Sequence, residues 1–168
     1  MNKSPANRRD ACQADAAQIA DIYNHYILHS TATLEERPVT AGELAARISE
    51  VGAAELPWIV ADTGSEIAGY AYANKWKGRC AYRHAVETTV YVALGMQGRG
   101  VATQLYTGLI DRLRALSIHA AMGGIALPNA ASIALHERVG FEKVAHFREV
   151  GYKFERWIDI GYWEIILS

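Results

Sequence analysis

Cysteine and long apolar runs are scarce in this 168-residue sequence, and each scarcity excludes a class of protein or site. The two cysteines, Cys12 and Cys80, show no CxxC spacing and have no zinc-type histidine partners, so neither a disulfide framework nor a metal site is expected. No stretch approaches the roughly 18 apolar residues that a membrane helix needs, and no apolar segment follows the polar first ten residues. We therefore expect no membrane partner and no secretion, and a reducing cytoplasm fits the free cysteines.

An excess of charge of one sign is also missing. The formal net charge is -1, from 17 Lys and Arg against 18 Asp and Glu, so no basic field attracts nucleic acid. Hydrophobic residues make up 51% and charged residues 21%, the proportions of an ordinary globular protein. A chain of this length forms one domain that buries about 70% of its unfolded surface. We predict a single domain over residues 8–168, after a disordered lead-in over residues 1–7 that is polar and interrupted by Pro5.

The order of helical and strand patterns predicts an α/β sandwich. Two helices come first, one capped by Asp15 and the other opened by Thr40, with Glu43 in a capping-box position and Gly52 as its stop. Alternating or β-branched runs predict strands over residues 58–61, 67–73, 86–92, 119–125, 141–147 and 161–167. Further helices are predicted after Gly100 and after Pro128.

A glycine turn between the strand at 86–92 and a long amphipathic helix is the most informative motif. Glycines one residue apart let the backbone approach a ligand, and the N-terminus of a helix attracts an anion. A Walker A loop, and with it nucleotide hydrolysis, is disfavoured because Val101-Ala102 stand where Lys and Ser or Thr are needed. A dinucleotide fingerprint is weak because Thr103 replaces its last small residue and Ile118 stands near the acidic position. The turn predicts a site for a phosphorylated small molecule, with a plain tight turn as the alternative.

The sequence pattern of this turn, Gln/Arg-x-x-Gly-x-Gly/Ala after a strand, resembles the acetyl-CoA-binding segment of the GNAT N-acetyltransferases. Further stretches are similar to the branch that contains phosphinothricin and methionine sulfoximine N-acetyltransferases, namely residues 22–26, 31–33, 82–87, 90–92, 129–141 and 151–159. The resemblance implies a GNAT fold, with a central, mixed but mostly antiparallel twisted sheet flanked by helices and with splayed central strands. It also implies acetyl-CoA as the co-substrate and no metal.

The same resemblance implies how acetyl-CoA is held. The end of the strand contacts the acetyl and pantetheine portions, the turn covers the diphosphate, and the start of the later helix holds the pantetheine arm. The residues implied are Val90, Tyr91, Val92, Gln97, Gly98, Arg99, Gly100, Val101, Ala102, Thr103, Asn129 and Ser132. For Asn129, a plain helix cap after Pro128 is an alternative that can hold together with binding.

The chemistry of amine acetylation points to Glu87 as a general base. A protonated amine has no lone pair for the thioester, and α-amino groups are substantially protonated near pH 7. Strand alternation directs Glu87 away from the face of Val86 and Thr88, although an exposed strand glutamate is the alternative. His136 stands where many relatives place a Tyr that protonates the CoA thiolate, with a structural histidine as the alternative and Tyr106 as a weaker candidate. Neither cysteine has a catalytic histidine arrangement, so direct transfer in a ternary complex is preferred.

A basic, aromatic loop over residues 74–84 is the candidate for amine selection. Its three cations suit a carboxylate plus a second anionic group, and a solvated loop is the alternative. The resembled branch often reads Trp-Arg-Pro where this chain has Trp76-Lys77-Gly78, which leaves the exact substrate open. The residues implied to bind the amino-acid substrate are Trp76, Lys77, Gly78, Arg79, Arg83, Thr88 and Thr89.

Together these features predict an acetyl-CoA-dependent N-acetyltransferase for the α-amino group of a small amino-acid analogue such as phosphinothricin or methionine sulfoximine. Acetylation of protein N-termini or of another amine metabolite is one alternative. A non-catalytic acyl-CoA-binding module is another, against which the intact Glu87 argues. The resemblance implies a homodimer, and an aromatic C-terminal segment favours one, although its residues equally suit a core. These residues are Tyr152, Phe154, Trp157, Tyr162 and Trp163.

Overall fold

A seven-stranded sheet forms the centre of the structure, a computed structural model that describes residues 6–167. Strands β1 to β7 are, in chain order, Asn7–Asp10, Trp58–Asp62, Ile67–Lys75, Ala85–Val92, Ala120–Leu127, Glu142–Lys153 and Arg156–Ile166. Their order in the sheet is β1-β2-β3-β4-β5-β7-β6. All neighbouring strands are antiparallel except β4 and β5, which are parallel. The predicted α/β class with a mixed, mostly antiparallel sheet is confirmed.

Four α-helices within residues 6–167 cover the two faces of this sheet, and none is long and apolar enough to cross a membrane. They are α1 Ala16–His29, α2 Ala41–Ala53, α3 Val101–Ala115 and α4 Ala130–Arg138. One core cluster packs α1 and α2 against β2 and β3. The other packs α3, and part of α4, against the opposite face. Each face therefore has its own helices, and the sheet separates them.

Helix α2 begins as its sequence predicts. The Thr40 hydroxyl accepts a hydrogen bond from the Glu43 backbone N–H at 3.2 Å, and the Glu43 carboxylate accepts from the Thr40 backbone N–H at 2.7 Å. Gly52 does not stop this helix, which continues to Ala53, and the chain turns at Glu55 instead, with φ at 58°. The stop prediction was wrong because an exposed glycine in a last turn meets no steric obstacle to helical geometry.

The N-terminal segment differs from prediction in two ways. Strand β1 includes Asn7, which was assigned to a disordered lead-in, because the segment pairs along β2 from Asn7 opposite Asp62. Residues 1–5 of that lead-in lie outside the described residues. Asp15 precedes α1 but makes no side-chain cap, since its carboxylate is held by Arg9 at 2.7 Å and by the Cys12 backbone N–H at 2.8 Å. The ion pair with Arg9 ties β1 to the start of α1.

Candidate active site

The parallel pair at the centre of the sheet opens into a slot. Strands β4 and β5 pair from Ala85 opposite Ala120 to Glu87 opposite Met122. Past this last pair, β4 continues to Val92 along β3, and β5 continues to Leu127 along β7. The backbone groups of β4 and β5 that face each other beyond Glu87 therefore border a gap, which we call the slot. The end of the β4–β5 pairing at Glu87 agrees with the splayed central strands that the family resemblance implies.

The glycine turn lies at the α3 side of the slot. Gly98 and Gly100 have φ values of 72° and 79°, which favour glycine, and the space beside both is open. Gly100 is the N-cap of α3 and offers no side chain, so the first N–H groups of the helix keep their donors for another partner. The Gln97 side chain instead accepts from the Gly95 N–H at 2.8 Å, within the turn. The geometry is that of an anion site at a helix N-terminus.

A cavity of about 560 Å³ runs from this turn along the slot to α4. It is lined by every residue predicted to hold acetyl-CoA except Arg99, which is exposed beside it. The lining also includes four residues that the sequence assigned to other roles, Thr88, Thr89, Tyr106 and His136. Residues with no predicted role complete it: Tyr26, Ala32, Met96, Gly124, Ile125, Ala126, Ala131, Ala134, Leu135 and Arg138. A long cavity with a helix N-terminus at one end suits the size and charge of acetyl-CoA, so the residues present fit this co-substrate.

Asn129 joins the cavity to the start of α4. Its side-chain oxygen accepts from the Ser132 backbone N–H at 3.1 Å, which is the predicted helix cap. An asparagine amide also carries two N–H donors, and these remain for a ligand in the cavity that Asn129 lines. The two roles considered for Asn129 are therefore compatible, and its contact with the pantetheine arm stays a prediction.

A buried chain of hydrogen bonds lies on the α3 and α4 side of the slot. The Tyr106 hydroxyl is 2.7 Å from Thr88 Oγ1 and 2.8 Å from His136 Nε2. Thr88 also reaches the Met122 carbonyl at 3.1 Å, and His136 Nδ1 is 2.7 Å from the Ser132 carbonyl. Burial lowers the pKa of His136 and raises that of Tyr106. Both shifts favour the neutral forms of these side chains.

Counting protons shows that this network of hydrogen bonds can hold one additional proton. The Ser132 carbonyl only accepts, so His136 Nδ1 carries a proton. With a neutral imidazole, Tyr106 donates to Nε2 and Thr88 donates to Tyr106. With an imidazolium, Nε2 donates to Tyr106, Tyr106 to Thr88 and Thr88 to the Met122 carbonyl. Rotating two hydroxyl groups therefore lets His136 gain or lose a proton while the heavy atoms stay in place.

Glu87 lies on the other side of the sheet, as strand alternation predicts. Its carboxylate accepts a hydrogen bond from the Tyr162 hydroxyl at 3.2 Å. Burial raises the pKa of Glu87 above the usual carboxyl value, whereas the bond from Tyr162 and the positive charge of Lys77 act to lower it. A half-buried carboxylate with a raised pKa is suited to accept a proton near neutral pH.

Two consecutive glycines in β5, Gly123 and Gly124, make room for the side chains of His136 and Glu87. A Cβ on Gly123 would lie 2.3 Å from His136 Nε2, so no side chain fits there. A Cβ on Gly124 would lie 3.2 Å from Glu87 Oε1, on the opposite face. Successive positions of a strand face opposite ways, so the pair places His136 and Glu87 on either side of the sheet. Glycine inside a strand signals such close approaches, and the sequence offered that signal.

The basic loop reaches Glu87 at one end only. The Trp76 ring contacts the Tyr162 ring edge-on at 5.3 Å between centroids, and Lys77 Nζ lies 4.7 Å from the Trp76 ring centre. The remaining predicted loop residues, Gly78, Arg79 and Arg83, are exposed. Trp76 contacts Tyr162, which bonds to Glu87, and the charge of the exposed Lys77 acts on Glu87, so these two loop residues are linked to the carboxylate. Tyr162 was missed as a site residue because its contact with Glu87 spans 75 positions of sequence.

The two threonines that follow Glu87 have different surroundings. Thr89 is half-buried on the Glu87 side and also lines the cavity. Thr88 is only 4% exposed and faces α3, where its hydroxyl bonds to Tyr106 and to the Met122 carbonyl. This placement argues against the prediction that Thr88 binds the amine, because its side chain faces away from the Glu87 side. Thr88 instead bridges β4 and β5 where their pairing ends.

No group of three or more metal-ligating side chains occurs within residues 6–167. The two cysteines are free and exposed. Neither cysteine borders the cavity or contacts Glu87 in the described part of the chain. The side chains gathered at the slot are thus carboxyl, hydroxyl and imidazole groups, which suit proton transfer.

Comparisons with known proteins agree with this geometry. The family model of the acetyltransferase (GNAT) domain matches residues 9–161. A phosphinothricin N-acetyltransferase of Streptomyces coelicolor is 40% identical over 159 residues, covering 93% of each chain. An L-methionine sulfoximine/L-methionine sulfone acetyltransferase of Salmonella typhimurium is 36% identical over 160 residues, covering 95% of this chain and 94% of the relative.

Solved structures give the same result. A Salmonella typhimurium acetyltransferase with its cofactor acetyl-CoA has a TM-score of 0.94 at 35% identity, covering 98% of this chain and 95% of the other. A phosphinothricin acetyltransferase of Sinorhizobium meliloti in complex with acetyl-CoA has a TM-score of 0.94 at 34% identity, covering 98% and 90%. With its slot, its cavity and these relatives, the chain belongs to the GNAT acetyltransferase family.

Proposed function

We propose that this protein transfers the acetyl group of acetyl-CoA to the α-amino group of a small amino-acid analogue of the phosphinothricin or methionine sulfoximine kind. The observation that carries the proposal is the position of Glu87 across the slot from the cavity, with its pKa raised by burial. The named relatives act on such analogues, which supports the same substrate class here. Acetyl-CoA, when bound in the cavity, supplies the thioester.

Glu87 acts as the general base. It takes a proton from the substrate ammonium, and the freed lone pair on nitrogen attacks the thioester carbonyl through the slot. The backbone N–H groups of Val90 and Val92, which face the open edge of β4 while that of Tyr91 faces β3, stabilise negative charge on the carbonyl oxygen. Direct transfer is favoured because neither free cysteine borders the cavity among residues 6–167.

His136 and Tyr106 serve the departing thiolate on the cofactor side. When His136 is an imidazolium, the Tyr106 hydroxyl can give its proton to the thiolate in the cavity and take the Nε2 proton of His136, which is left in the neutral form that its lowered pKa favours. The sheet separates this acid from the base, so the proton taken up by Glu87 and the proton given to sulfur travel on opposite faces.

Amine selection is assigned to the Glu87 face. Lys77, Trp76 and Thr89 lie near the base, and the exposed Arg79 and Arg83 extend the positive charge of the loop. A carboxylate and a second anionic or polar oxide group on the substrate would pair with these cations. A substrate with only one of these groups should bind more weakly.

We also propose that the protein is a cytoplasmic homodimer. Six large apolar side chains are about half exposed along the β6–β7 hairpin: Val144, Phe147, Val150, Tyr152, Phe154 and Trp157. Exposed apolar side chains of this kind along an edge strand are suited to pack against a second copy of the chain. Of the aromatic residues predicted for this role, Trp163 is buried and Tyr162 bonds to Glu87. The free cysteines support a reducing compartment.

A thiol-release assay tests the proposed activity. Purified protein is mixed with acetyl-CoA and, in parallel, with phosphinothricin, methionine sulfoximine and a short peptide with a free N-terminus. We expect CoA release with the two amino-acid analogues and little with the peptide. Release with the peptide alone would support acetylation of protein N-termini instead. Binding of acetyl-CoA without release for any amine would overturn the enzymatic proposal.

A further inference from the structure

A buried lysine holds the connection between α1 and α2. Lys153, at the end of β6, is 2% exposed, and its ammonium donates to the Ser30 carbonyl at 2.9 Å and to the Thr33 carbonyl at 2.8 Å. Within residues 6–167, no carboxylate lies within the 4.0 Å of an ion pair with it. A buried charge is costly unless it is hydrogen-bonded. The ammonium of Lys153 meets this need with two hydrogen bonds, and both go to one short segment. We call that segment, residues 30–34, the strap.

The strap touches both sides of the slot. On the β4 side, the Tyr91 hydroxyl donates to the Ala32 carbonyl at 3.1 Å. On the other side, Leu34 packs so closely on Gly151 of β6 that a Cβ there would lie 2.7 Å from Leu34 Cδ1. The β6–β7 hairpin tip extends beyond the end of β5, because Leu127 already pairs with Asp159. The strap thus spans from β4 to the hairpin tip at the far end of the slot.

These contacts close the slot into a window. Its near end is bridged by Thr88, whose hydroxyl reaches the Met122 carbonyl at 3.1 Å. Its far end is bridged by the strap, and Ala32 of the strap also lines the cofactor cavity. The cofactor cavity and the Glu87 face meet through this window, so the position of the strap sets how an amine and a thioester approach each other.

We infer that Lys153 is a positioning residue for the proposed reaction, because its ammonium anchors the strap that closes the far end of the window. The inference rests on the proposed function only for its kinetic consequence. Without the ammonium, the Ser30 and Thr33 carbonyls lose their donor, and the strap is left with its contacts to Tyr91, Tyr23 and the hairpin. The strap should then open locally while the sheet stays folded.

Hydrogen exchange tests the structural part of the inference. Lys153→Met removes the charge and the donors but keeps the length of the side chain. The matched control is Lys143→Met, an exposed lysine on the same strand. We expect amide exchange across residues 30–34 to rise about 10-fold or more in Lys153→Met and to stay unchanged in the control. Unchanged exchange in Lys153→Met would overturn the inference.

Kinetics test the functional part. For Lys153→Met we expect KM for the amine to rise about 10-fold, with Kd for acetyl-CoA within about 2-fold, because the turn at α3 still holds the diphosphate. Lys153→Arg, which keeps a cation, should restore part of the loss. An equal loss of affinity for both reactants, or no change in KM, would contradict a positioning role.

Two further results keep the test decisive. If Lys153→Met fails to fold by circular dichroism, Leu34→Ala weakens the same strap at its packing contact and should give the same exchange pattern and the same rise in amine KM. Leu34→Ala with wild-type exchange and KM would then overturn the inference. If the wild-type protein releases no CoA with any amine, the proposed function fails, and the exchange experiment still decides whether Lys153 anchors the strap.

Discussion

The two faces of the sheet at the slot present different chemistry to a reactant. On the α3 and α4 face, the buried groups are hydroxyls and an imidazole whose lowered pKa favours the neutral form, beside the backbone donors of the turn. On the other face, Glu87 is half-buried next to Lys77 and Tyr162. The first face suits a cofactor whose structure never varies, and the second suits an ammonium that must lose a proton. Separation by the sheet lets each environment keep its own polarity.

Removing the proposed base on the Glu87 face should have the largest effect on activity. For Glu87→Gln we expect kcat to fall by about 10²–10⁴-fold with Kd for acetyl-CoA unchanged, because the amide keeps the shape but cannot accept the proton. Thiol release and calorimetric binding measure the two quantities. Glu50→Gln, on the exposed side of α2, serves as the control and should retain full activity. Equal activity of Glu87→Gln and wild type would show that another group is the base.

The adjacent glycines of β5 offer a sharper test, because one methyl group can be added to either face. Gly123→Ala places its Cβ 2.3 Å from His136 Nε2 and should cost about 1–3 kcal/mol of unfolding free energy. Gly124→Ala meets Glu87 Oε1 at 3.2 Å and should cost less stability while lowering turnover. Urea unfolding and thiol release separate these effects. Identical losses for both variants would contradict the assignment of the glycines to different faces.

A substitution in the glycine turn should weaken acetyl-CoA binding without affecting amine binding. Gly100→Ala forces a residue with a Cβ to φ of 79°, which costs about 1–2 kcal/mol. The free turn can relax away from this strained geometry, so that restoring it on binding costs this energy, and we expect KM for acetyl-CoA to rise by about 5–30-fold while KM for the amine stays constant. Gly64→Ala, in the β2–β3 turn with φ of 88°, is the control for strain without cofactor contact. Similar kinetics for the two variants would remove the turn from the binding site.

The smallest expected effect is a shift in the pH profile. As the proposed base, Glu87 works as a carboxylate, so we expect activity to fall as pH decreases through its raised pKa. The hydrogen bond from Tyr162 lowers that pKa, so Tyr162→Phe should move the acidic limb of kcat/KM to higher pH. The profile is measured by thiol release over the acidic to neutral range. A limb that stays in place, or moves to lower pH, would show that Glu87 does not control it.

The cofactor side was predictable from sequence because its signals are local. Gly98 and Gly100 stand one residue apart in the chain, and the strand and helix around them have clear periodicity. Thr40 and Glu43 form their cap within four residues. The alternation of β4 also placed Glu87 on the face opposite Val86.

The features that sequence reasoning missed depend on long-range contacts. Strand β1 is short and polar, and it exists because it pairs with β2 and because Arg8 packs over Gly108. Tyr162 reaches Glu87 from the far end of the chain, and Lys153 reaches Ser30 across 123 positions. Thr88 was assigned to the amine together with its neighbour, although alternation alone places their side chains on opposite faces.

A crystal structure with CoA and an unreactive amine analogue would test the central claim most directly. We predict the diphosphate at the amides that open α3, the sulfur in the slot beside Thr88 and Gly123, and the amine nitrogen within hydrogen-bond distance of Glu87 on the opposite face. An amine bound on the α3 and α4 face, or a Glu87 carboxylate that contacts neither the amine nor a bridging water, would contradict the two-faced account.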